Sequence, residues 1–292
     1  MNLSKQFFIR VSILGLSSLG LVACNTPSSN GTGQVSLNVT DAPIDGASKV
    51  MVTFNSVELH GAEDKTITFD KPVQINLLDL SGSKSAGLLV NQPLKAGDYQ
   101  WIKLGVDTTN QMATYIEMKD GTDYDLTIPS GSESGLKLVR GFTVAQGGGT
   151  DFTIDFNLRK SIVGNSQGYK LKPALRMVDN LEVGHVKGTV AATLLQDSSC
   201  TSGNSVYVFS GKDVTPTDEY TNSNVLTTAN VTMDTSGIYN YSVGFLTAGD
   251  YTFAFTCQSA DDDPEAQDAN FKFVAQSNVT VAANTTTDLN FQ

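Results

Sequence analysis

The sequence has few of the residues that most often carry catalysis or bind metal. It contains two histidines, His60 and His185, and three cysteines among 292 residues. No H-E-x-x-H motif occurs, and two isolated histidines disfavour a zinc site. S-x-x-K matches begin at Ser81 and Ser134, but the S-D-N and K-T-G elements that accompany a serine nucleophile are missing. Catalysis is therefore disfavoured, although a hydrolase with paired carboxylates stays open because Asp and Glu are common.

Basic residues are also scarce. The chain has 19 Lys and Arg against 30 Asp and Glu, which gives a net charge of −11. Nucleic acid is disfavoured as a partner because its phosphate backbone demands a basic surface. Only 17% of residues are charged, while Gly, Ser, Thr and Asn are plentiful, and this composition favours short strands and turns over helical bundles.

Long apolar runs are absent except at the amino terminus. There, Lys5 and Arg10 accompany an apolar segment at residues 11–22, and Ala23 precedes Cys24. A charged start, a short apolar segment and a small residue describe a secretory signal. The stretch Leu-Val-Ala-Cys at residues 21–24 resembles a bacterial lipobox, which implies that Cys24 begins the processed chain and carries a diacylglycerol. An ordinary secretion signal followed by a chance cysteine is the alternative.

Lipid would then be the only membrane anchor. Two or three acyl chains hold firmly, at about 0.8 kcal/mol per buried CH₂. Removal of residues 1–23 leaves 269 residues with 17 basic and 30 acidic side chains, a net charge of −13. Residues 25–33 then form a flexible tether after the lipidated Cys24. Asn25, where an aspartate would signal inner-membrane retention, favours the outer membrane, facing either the periplasm or the cell surface.

Assignment of Cys24 to lipid leaves an even cysteine count. Cys200 and Cys257 are expected to form a disulfide in an oxidising compartment. Closing a loop of that length stabilises the fold by about 4 kcal/mol on the chain-entropy model. Two free buried thiols are the alternative.

Hydrophobic alternation with a period of two begins at Gln34. The strongest example is residues 151–158, where Phe152, Ile154, Phe156 and Leu158 alternate with polar residues. Asp120-Gly121 predicts a hairpin with a type I′ turn, a short helical turn is expected at residues 77–80 or 86–90, and a strand is expected at residues 271–275. Strands every eight to twelve residues with Gly-rich turns predict an all-β protein. We expect two β-sandwich domains, Ig-like or transthyretin-like, at residues 34–183 and 184–292.

One six-residue pattern, L-x-A-G-D-Y, occurs twice. It spans residues 94–99 in the first predicted domain and 246–251 in the second. In both copies a turn leads into a long strand with an inward aromatic residue, so the repetition indicates two sandwiches of related construction.

Several motifs in the first part of the chain resemble the bacterial domain-of-unknown-function family 4382. They occur in the expected order at residues 40–43, 52–54, 57–59, 128–131, 135–142, 151–161 and 171–176. The resemblance covers about residues 34–183. Residues 185–292 resemble transthyretin-like and carboxypeptidase-regulatory-like sandwiches, including their A-G-x-Y turn. Neither resemblance implies a catalytic role.

Residues 137–176 are basic within an acidic protein. The segment holds seven basic and two acidic side chains, a net charge of +5. Guanidinium groups suit carboxylate and phosphate, so this face is a candidate site for an anionic ligand. A solvated sheet face with local ion pairs is the alternative. The candidate residues are Lys137, Arg140, Asp155, Arg159, Lys160 and Arg176.

An acidic loop near the carboxyl terminus is a candidate calcium site. Carboxylate oxygens are the ligands that calcium prefers, but the EF-hand spacing is absent, so a solvated loop is the alternative. The candidate ligands are Asp261, Asp262, Asp263, Glu265 and Asp268. No other cofactor is expected.

These features favour a membrane-anchored envelope lipoprotein that binds or adheres without catalysis. A glycan or another anionic envelope component is the expected ligand. The alternative is a structural lipoprotein that docks another envelope protein. Trp101, the only tryptophan, is expected in the core because it lies within a predicted strand.

Overall fold

A computed structural model describes residues 31–129, 135–165, 168–198, 200 and 203–292. The predicted signal sequence, the lipidation site at Cys24 and residues 25–30 of the predicted tether lie outside the described residues. Thr32 and Gly33, which were expected to belong to the tether, belong to the first strand instead. No helix within the described ranges is long and apolar enough to cross a bilayer.

The described chain consists almost entirely of β-strands, which confirms the expected all-β fold. One helical turn, α1 (Leu158–Ser161), follows strand β10, and 3₁₀ turns occur at Leu77–Leu80, Leu194–Gln196 and Ser259–Asp261. The first unit holds β1 to β13 and the second unit holds β14 to β21. The strands are β1 Thr32–Ala42, β2 Ala47–Gly61, β3 Lys65–Asn76, β4 Ala86–Lys95, β5 Gly97–Val106, β6 Tyr115–Met118, β7 Asp123–Thr127, β8 Leu136–Leu138, β9 Phe142–Val144, β10 Gly149–Asn157, β11 Ile162–Asn165, β12 Gly168–Leu171, β13 Leu175–Asp179, β14 Val183–Val190, β15 Ser205–Ser210, β16 Val225–Asn230, β17 Thr232–Met233, β18 Tyr239–Thr247, β19 Gly249–Thr256, β20 Ala275–Val281 and β21 Thr286–Asp288.

The first unit is a sandwich of two sheets. One sheet has the order β13-β10-β1-β4, with β1 parallel to β10, and the other has nine strands arranged around the long strand β2. Alternating side chains of β1 and β2, including Val35, Leu37, Val52 and Phe54, face one continuous core between the sheets. The period-two pattern of the sequence therefore marks the inward face of both sheets.

The hairpin predicted at Asp120-Gly121 is present, but its turn differs from the expectation. β6 pairs with β7, and the N–H of Gly121 donates to the carbonyl of Met118 at 2.9 Å. Gly121 has a φ of +84°, whereas Asp120 is not among the described residues with positive φ. A type I′ turn needs positive φ at both central positions, so this is the longer loop in which a single left-handed glycine closes the turn.

The second unit is also a two-sheet sandwich. Its sheets have the orders β17-β18-β14-β21 and β16-β15-β19-β20. The predicted disulfide between Cys200 and Cys257 is confirmed, and Cys257 is buried at the edge of the core. The outer face of β15 is covered as well, because Phe271 and Phe273 pack on Tyr207. The strand expected at residues 271–275 is therefore wrong. Phe271 and Phe273 precede β20, which begins at Ala275, and they pack on Tyr207 instead of pairing in a sheet.

The two L-x-A-G-D-Y motifs adopt the same local structure. The hydroxyl of Tyr99 donates to the carbonyl of Lys95 at 3.1 Å, and the hydroxyl of Tyr251 donates to the carbonyl of Thr247 at 2.5 Å. Each motif aspartate also accepts a hydrogen bond from a threonine on the neighbouring strand, Asp98 from Thr143 and Asp250 from Thr280. The repeat therefore specifies a hairpin that is fastened by its own tyrosine, as in the tyrosine corner of Ig-like sandwiches.

Candidate binding cleft and domain interface

Arg159 of α1 joins the two units. Its side chain is 3% exposed, and Nη2 lies 2.9 Å from Oδ2 of Asp45 in the first unit. The same guanidinium donates to the carbonyl of Ser259 at 2.5 Å and to Oγ of Ser205 at 3.3 Å, both in the second unit. α1 directly follows β10, so the end of that strand carries the arginine into the interface.

Arg176 makes a second buried connection. Its Nε lies 2.7 Å from Oδ2 of Asp155, and Nη1 donates to the carbonyl of Phe245 in the second unit at 2.7 Å. Burial raises the pKa of Asp155, and the guanidinium of Arg176 opposes that rise. Both arginines are thus bound by protein groups rather than presented to solvent.

The candidate anionic-ligand face is corrected by these contacts. Asp155 and Arg159 are buried, Arg176 is largely buried, and Asp155 forms an ion pair with Arg176. Lys137 lies elsewhere, with Nζ 4.0 Å from the centre of the Trp101 ring, and Arg140 is exposed. Burial of a charge is unfavourable without a partner, and each of these arginines has its partners within the interface. The six residues Lys137, Arg140, Asp155, Arg159, Lys160 and Arg176 do not form one exposed surface.

Trp101 also departs from expectation. It is half-buried on the outer face of the nine-stranded sheet and stacks on His60, with ring centres 5.1 Å apart. A register shift in the β2–β5 pairing lies between His60 and Gly61, so Tyr99 and Ile102 face the core while Trp101 faces outward.

Glu219 is a buried carboxyl at the interface with a raised pKa. It is fully buried, and its Oε1 accepts from Nδ2 of Asn157 at 2.7 Å. Burial raises the pKa of Glu219 to about 7, against the opposing charge of Arg159. The second oxygen, Oε2, has no hydrogen-bond partner among the described residues. This group therefore titrates near neutral pH inside the interface.

The residues of the predicted calcium loop do not converge. Asp262 accepts from the Tyr207 hydroxyl at 2.5 Å, and Glu265 pairs with Lys172 at 2.6 Å. Asp261 lies in a 3₁₀ turn, Asp263 accepts from the backbone of Glu265, and the backbone N–H of Asp268 donates to Asp218. Within the described ranges, no three acidic, histidine or cysteine side chains are grouped as metal ligands.

A cleft of about 700 Å³ opens between the two units. Its first-unit wall is formed in part by Pro43, Ile44 and Leu78, next to Lys119. Its second-unit wall is polar. That wall includes Lys187, Thr189, Asn230, Thr232, Asn240, Ser242, Asp288 and Asn290.

Two asparagines in the cleft have their oxygens bound and their nitrogens available. Oδ1 of Asn290 accepts from the N–H and hydroxyl of Thr189 at 2.9 and 3.0 Å, and Oδ1 of Asn230 accepts from Oγ of Ser205 at 3.1 Å. Within the described part of the chain, neither Nδ2 donates to a protein acceptor. Lys187 is also accessible, since its side chain is 61% exposed and its nearest carboxylate, on Asp288, is 3.9 Å away. The cleft therefore presents hydrogen-bond donors to a ligand rich in acceptors.

The amide of Asn230 connects the cleft to the interface. Oγ of Ser205 accepts from Arg159 and lies 3.1 Å from Oδ1 of Asn230, so the buried arginine and the asparagine contact the same hydroxyl. No sequence pattern predicts this arrangement, because Arg159, Ser205 and Asn230 are spread over more than 70 positions and belong to no common motif.

The two histidines lie apart from this cleft, whereas Ser81 and Gly82 of the first S-x-x-K match line it. Ser134, which begins the second match, lies outside the described residues. His60 contacts Asp64 at 2.5 Å, and Nδ1 of His185 accepts from the N–H of Phe245 at 3.3 Å. A G-x-S-x-G pattern spans Gly164 to Gly168, but it connects the antiparallel strands β11 and β12, whereas a nucleophile elbow joins a strand to a helix. Its serine lies outside the described residues.

Comparison with known families identifies the first unit. Residues 32–173 match the model of the family described as "Domain of unknown function (DUF4382)". The first unit contains a DUF4382 domain. The resemblance inferred from residues 34–183 is thereby confirmed, and the DUF4382 domain contributes Pro43, Ile44 and Lys119 to the cleft. No curated protein matches the chain.

Solved structures resemble the chain only distantly. The Bacillus anthracis TIE protein is 12% identical with a TM-score of 0.20, over 90% of this chain and 34% of that protein. The minor pilin GBS52 of Streptococcus agalactiae is 10% identical with a TM-score of 0.20, over 88% and 94%. A putative adhesin from Bacteroides ovatus is 9% identical with a TM-score of 0.19, over 84% and 76%. The chain thus spans about a third of the TIE protein, and likenesses of this size carry no functional argument.

Proposed function

We propose that the chain is a non-catalytic binding module of the bacterial cell envelope that holds an acceptor-rich glycan in the cleft between its two units. The observation that supports this most is the pair of oriented amides on Asn230 and Asn290, with Lys187 beside them. Sugar hydroxyls and carboxylates accept hydrogen bonds from amide and ammonium donors, and a cleft of about 700 Å³ suits a short oligosaccharide. Pro43, Ile44 and Leu78 would contact its apolar C–H groups.

A glycan array probed with the full chain tests this function. We expect retention of one class of acidic oligosaccharide and loss of that retention in the double variant Lys119→Ala/Lys187→Ala. Lys71→Ala removes an exposed lysine from β3, outside the cleft, and should leave the profile unchanged. Recovery of intact sugar from the bound fraction is expected for a module without hydrolase activity. An array on which the unaltered chain binds nothing would reject the proposal.

We further propose that acyl chains on Cys24 attach the protein to the outer membrane. The lipobox-like stretch at residues 21–24 and the predicted tether that follows it, ending where β1 begins at Thr32, support this placement. The second unit would act as a transthyretin-like spacer or presentation domain. Mass spectrometry of the native amino terminus tests the anchor. Diacylglycerol on Cys24 is the expected result, and an unmodified terminus at another residue would reject it.

Exposed strand edges favour a second function, docking of another envelope protein. β3 pairs only with β2 and β4 only with β1 among the described strands, so each offers an open edge. Val90 in β4 is 77% exposed. Crosslinking in cells separates the two functions, because docking predicts one defined protein partner that is retained after the cleft lysines are removed.

A further inference from the structure

Asp41 has a buried carboxyl group that forms neither an ion pair nor a well-formed hydrogen bond within the described part of the chain. It lies at the end of β1, where the first unit meets the second, and is 4% exposed. Neither of its oxygens has a hydrogen-bond partner of good geometry among the described residues. Burial and the charge of Asp155 raise the pKa of Asp41, while Arg159 and the backbone N–H of Leu158 oppose the rise. An unsatisfied carboxylate in such a place is unfavourable unless something compensates for it.

The Asp41 side chain lines a small cavity between the units. Its volume is about 10 Å³, which is close to the space that a single water molecule or ion requires. Oxygen-bearing residues from both units surround it. They include Asp41, Asp155 and Gly82 from the first unit and Thr227, Thr228 and Ser242 from the second. The Oγ1 atom of Thr228 is also buried and without a partner in the described chain.

The surrounding network is short of positive charge. Arg159 and Arg176 are its guanidinium groups, and Lys160 and Asp218 add one charge of each sign at its edge. The carboxyls that these arginines face are Asp41, Asp45, Asp155, Glu219 and Asp262. Of these five carboxyls, Asp41 and Asp155 line the cavity. Asp155 is paired with Arg176, so Asp41 is the cavity carboxyl without an ion pair among the described residues.

We propose that this cavity binds one hard cation, of the kind represented by calcium or sodium, and so fastens the two units together. A cation would compensate for both the negative charge of Asp41 and the oxygens that lack a hydrogen-bond partner. It neutralises the charge and accepts lone pairs from the Asp41 carboxylate and the Thr228 hydroxyl. A water molecule would fill the cavity but leave the charge, and a proton would remove charge but leave the cavity and Thr228 unsatisfied. The cavity is not lined by the acidic loop at residues 261–268. It adjoins the cleft, because Gly82 and Ser242 line both, but the proposal does not require a bound glycan.

Thermal unfolding of the full chain after chelation tests the site. The protein is kept in a choline chloride buffer, and CaCl₂, NaCl or MgCl₂ is added with choline lowered to hold ionic strength constant. A cation at about 100 times its Kd should raise the Tm by roughly 5–10 °C. Calcium and sodium arms identify the ion, and a Tm that none of the three salts raises would overturn the proposal in favour of water or a proton.

Two variants locate the effect. Asp41→Asn keeps the shape of the side chain, removes its charge and should abolish the Tm shift. Asp263→Asn makes the same chemical change in the acidic loop and should retain it. An equal shift in Asp41→Asn and the unaltered chain would overturn the proposal, as would loss of the shift only in Asp263→Asn.

A third variant covers the case in which Asp41→Asn does not fold. Thr228→Val preserves the branched shape and removes one oxygen ligand, so calorimetric titration should show cation affinity reduced at least 10-fold. The unaltered chain should bind one cation per molecule. Unchanged affinity in Thr228→Val would exclude the cavity as the site.

Discussion

Arg159 and Asp45 are separated by 114 positions in the sequence, yet their side chains meet at 2.9 Å. Asp45 also accepts from the hydroxyl of Ser259 in the second unit at 2.6 Å. Both residues belong to the first unit and both contact Ser259 of the second, and Asp45 directly follows Ile44, which lines the cleft. A buried ion pair with these additional hydrogen bonds favours one relative orientation of the units, which keeps the two walls of the cleft in register.

Replacement of Arg159 should be strongly destabilising. Arg159→Met leaves the Asp45 carboxylate buried without its partner, and we expect a loss of about 3–5 kcal/mol in the free energy of unfolding. Lys172→Met is the matched control, because Lys172 and Glu265 form an exposed pair between the units and should contribute less than about 1 kcal/mol. Urea denaturation measures both. Equal losses in the two variants would contradict the role given to Arg159.

Stability should depend on pH through Glu219. Its pKa in the folded protein, about 7, lies above the ordinary value of 4.5, so the folded state retains the proton to higher pH than the unfolded state. The stabilisation is present below about pH 4.5 and is lost as pH rises through 7. Glu219→Gln should therefore gain stability relative to the unaltered chain over this range, by up to about 3 kcal/mol.

The comparison with Glu219→Gln isolates that one group. Burial lowers the pKa of His185 and raises those of Asp41 and Asp155, but these groups are present in both proteins and cancel in the difference. Denaturation at several pH values between 4.5 and 8 provides the curve. A difference that stays constant with pH would refute the assignment.

Loss of the disulfide should weaken the second unit. Cys200 and Cys257 close a loop across 57 positions, which corresponds to about 4 kcal/mol on the chain-entropy model. The double variant Cys200→Ser/Cys257→Ser should lose about 2–5 kcal/mol in urea denaturation, and the reductant-treated parent should match it. If the oxidised and reduced proteins unfold at the same urea concentration, the disulfide does not stabilise the second unit.

The two motif tyrosines should contribute alike. Tyr99→Phe and Tyr251→Phe each remove a hydroxyl that donates to a carbonyl four residues earlier, and each should lose about 1 kcal/mol of stability. Because the residues belong to separate cores, the losses should add in the double variant. Denaturation of the two single variants and the double variant provides the check, and a neutral effect at either site would mean that its hydroxyl contributes nothing.

Alternation along the chain predicted which side chains fill the sandwich cores. Phe152, Ile154 and Phe156 of β10 face inward as expected. The opposite face of β10 was not predictable in the same way, since Thr153 and Asp155 are buried too. A polar strand face is normally expected to be exposed to solvent. This face of β10 is buried because elements from elsewhere in the chain pack on it.

The site was less accessible to sequence reasoning than the fold. The charge count identified the basic segment, but Arg159 and Arg176 lie in the interface because their partners come from distant parts of the chain, Asp45 from a turn and Phe245 from β18. Asn290 belongs to no motif, and only the threonine opposite it leaves its amide nitrogen available. Patterns of neighbouring residues in the sequence predict strands and turns. Contacts such as those of Arg159, Arg176 and Asn290 depend on the tertiary structure.

Calorimetric titration of the glycan retained on the array tests the central claim most directly. Asn290→Asp keeps the oxygen that accepts from Thr189 but replaces the available N–H donor with a negative charge in the cleft. Asn270→Asp makes the same change on an exposed loop away from the cleft. The account predicts that Asn290→Asp weakens binding at least about 10-fold while Asn270→Asp stays within about twofold of the unaltered chain. Equal affinities in all three proteins would contradict it.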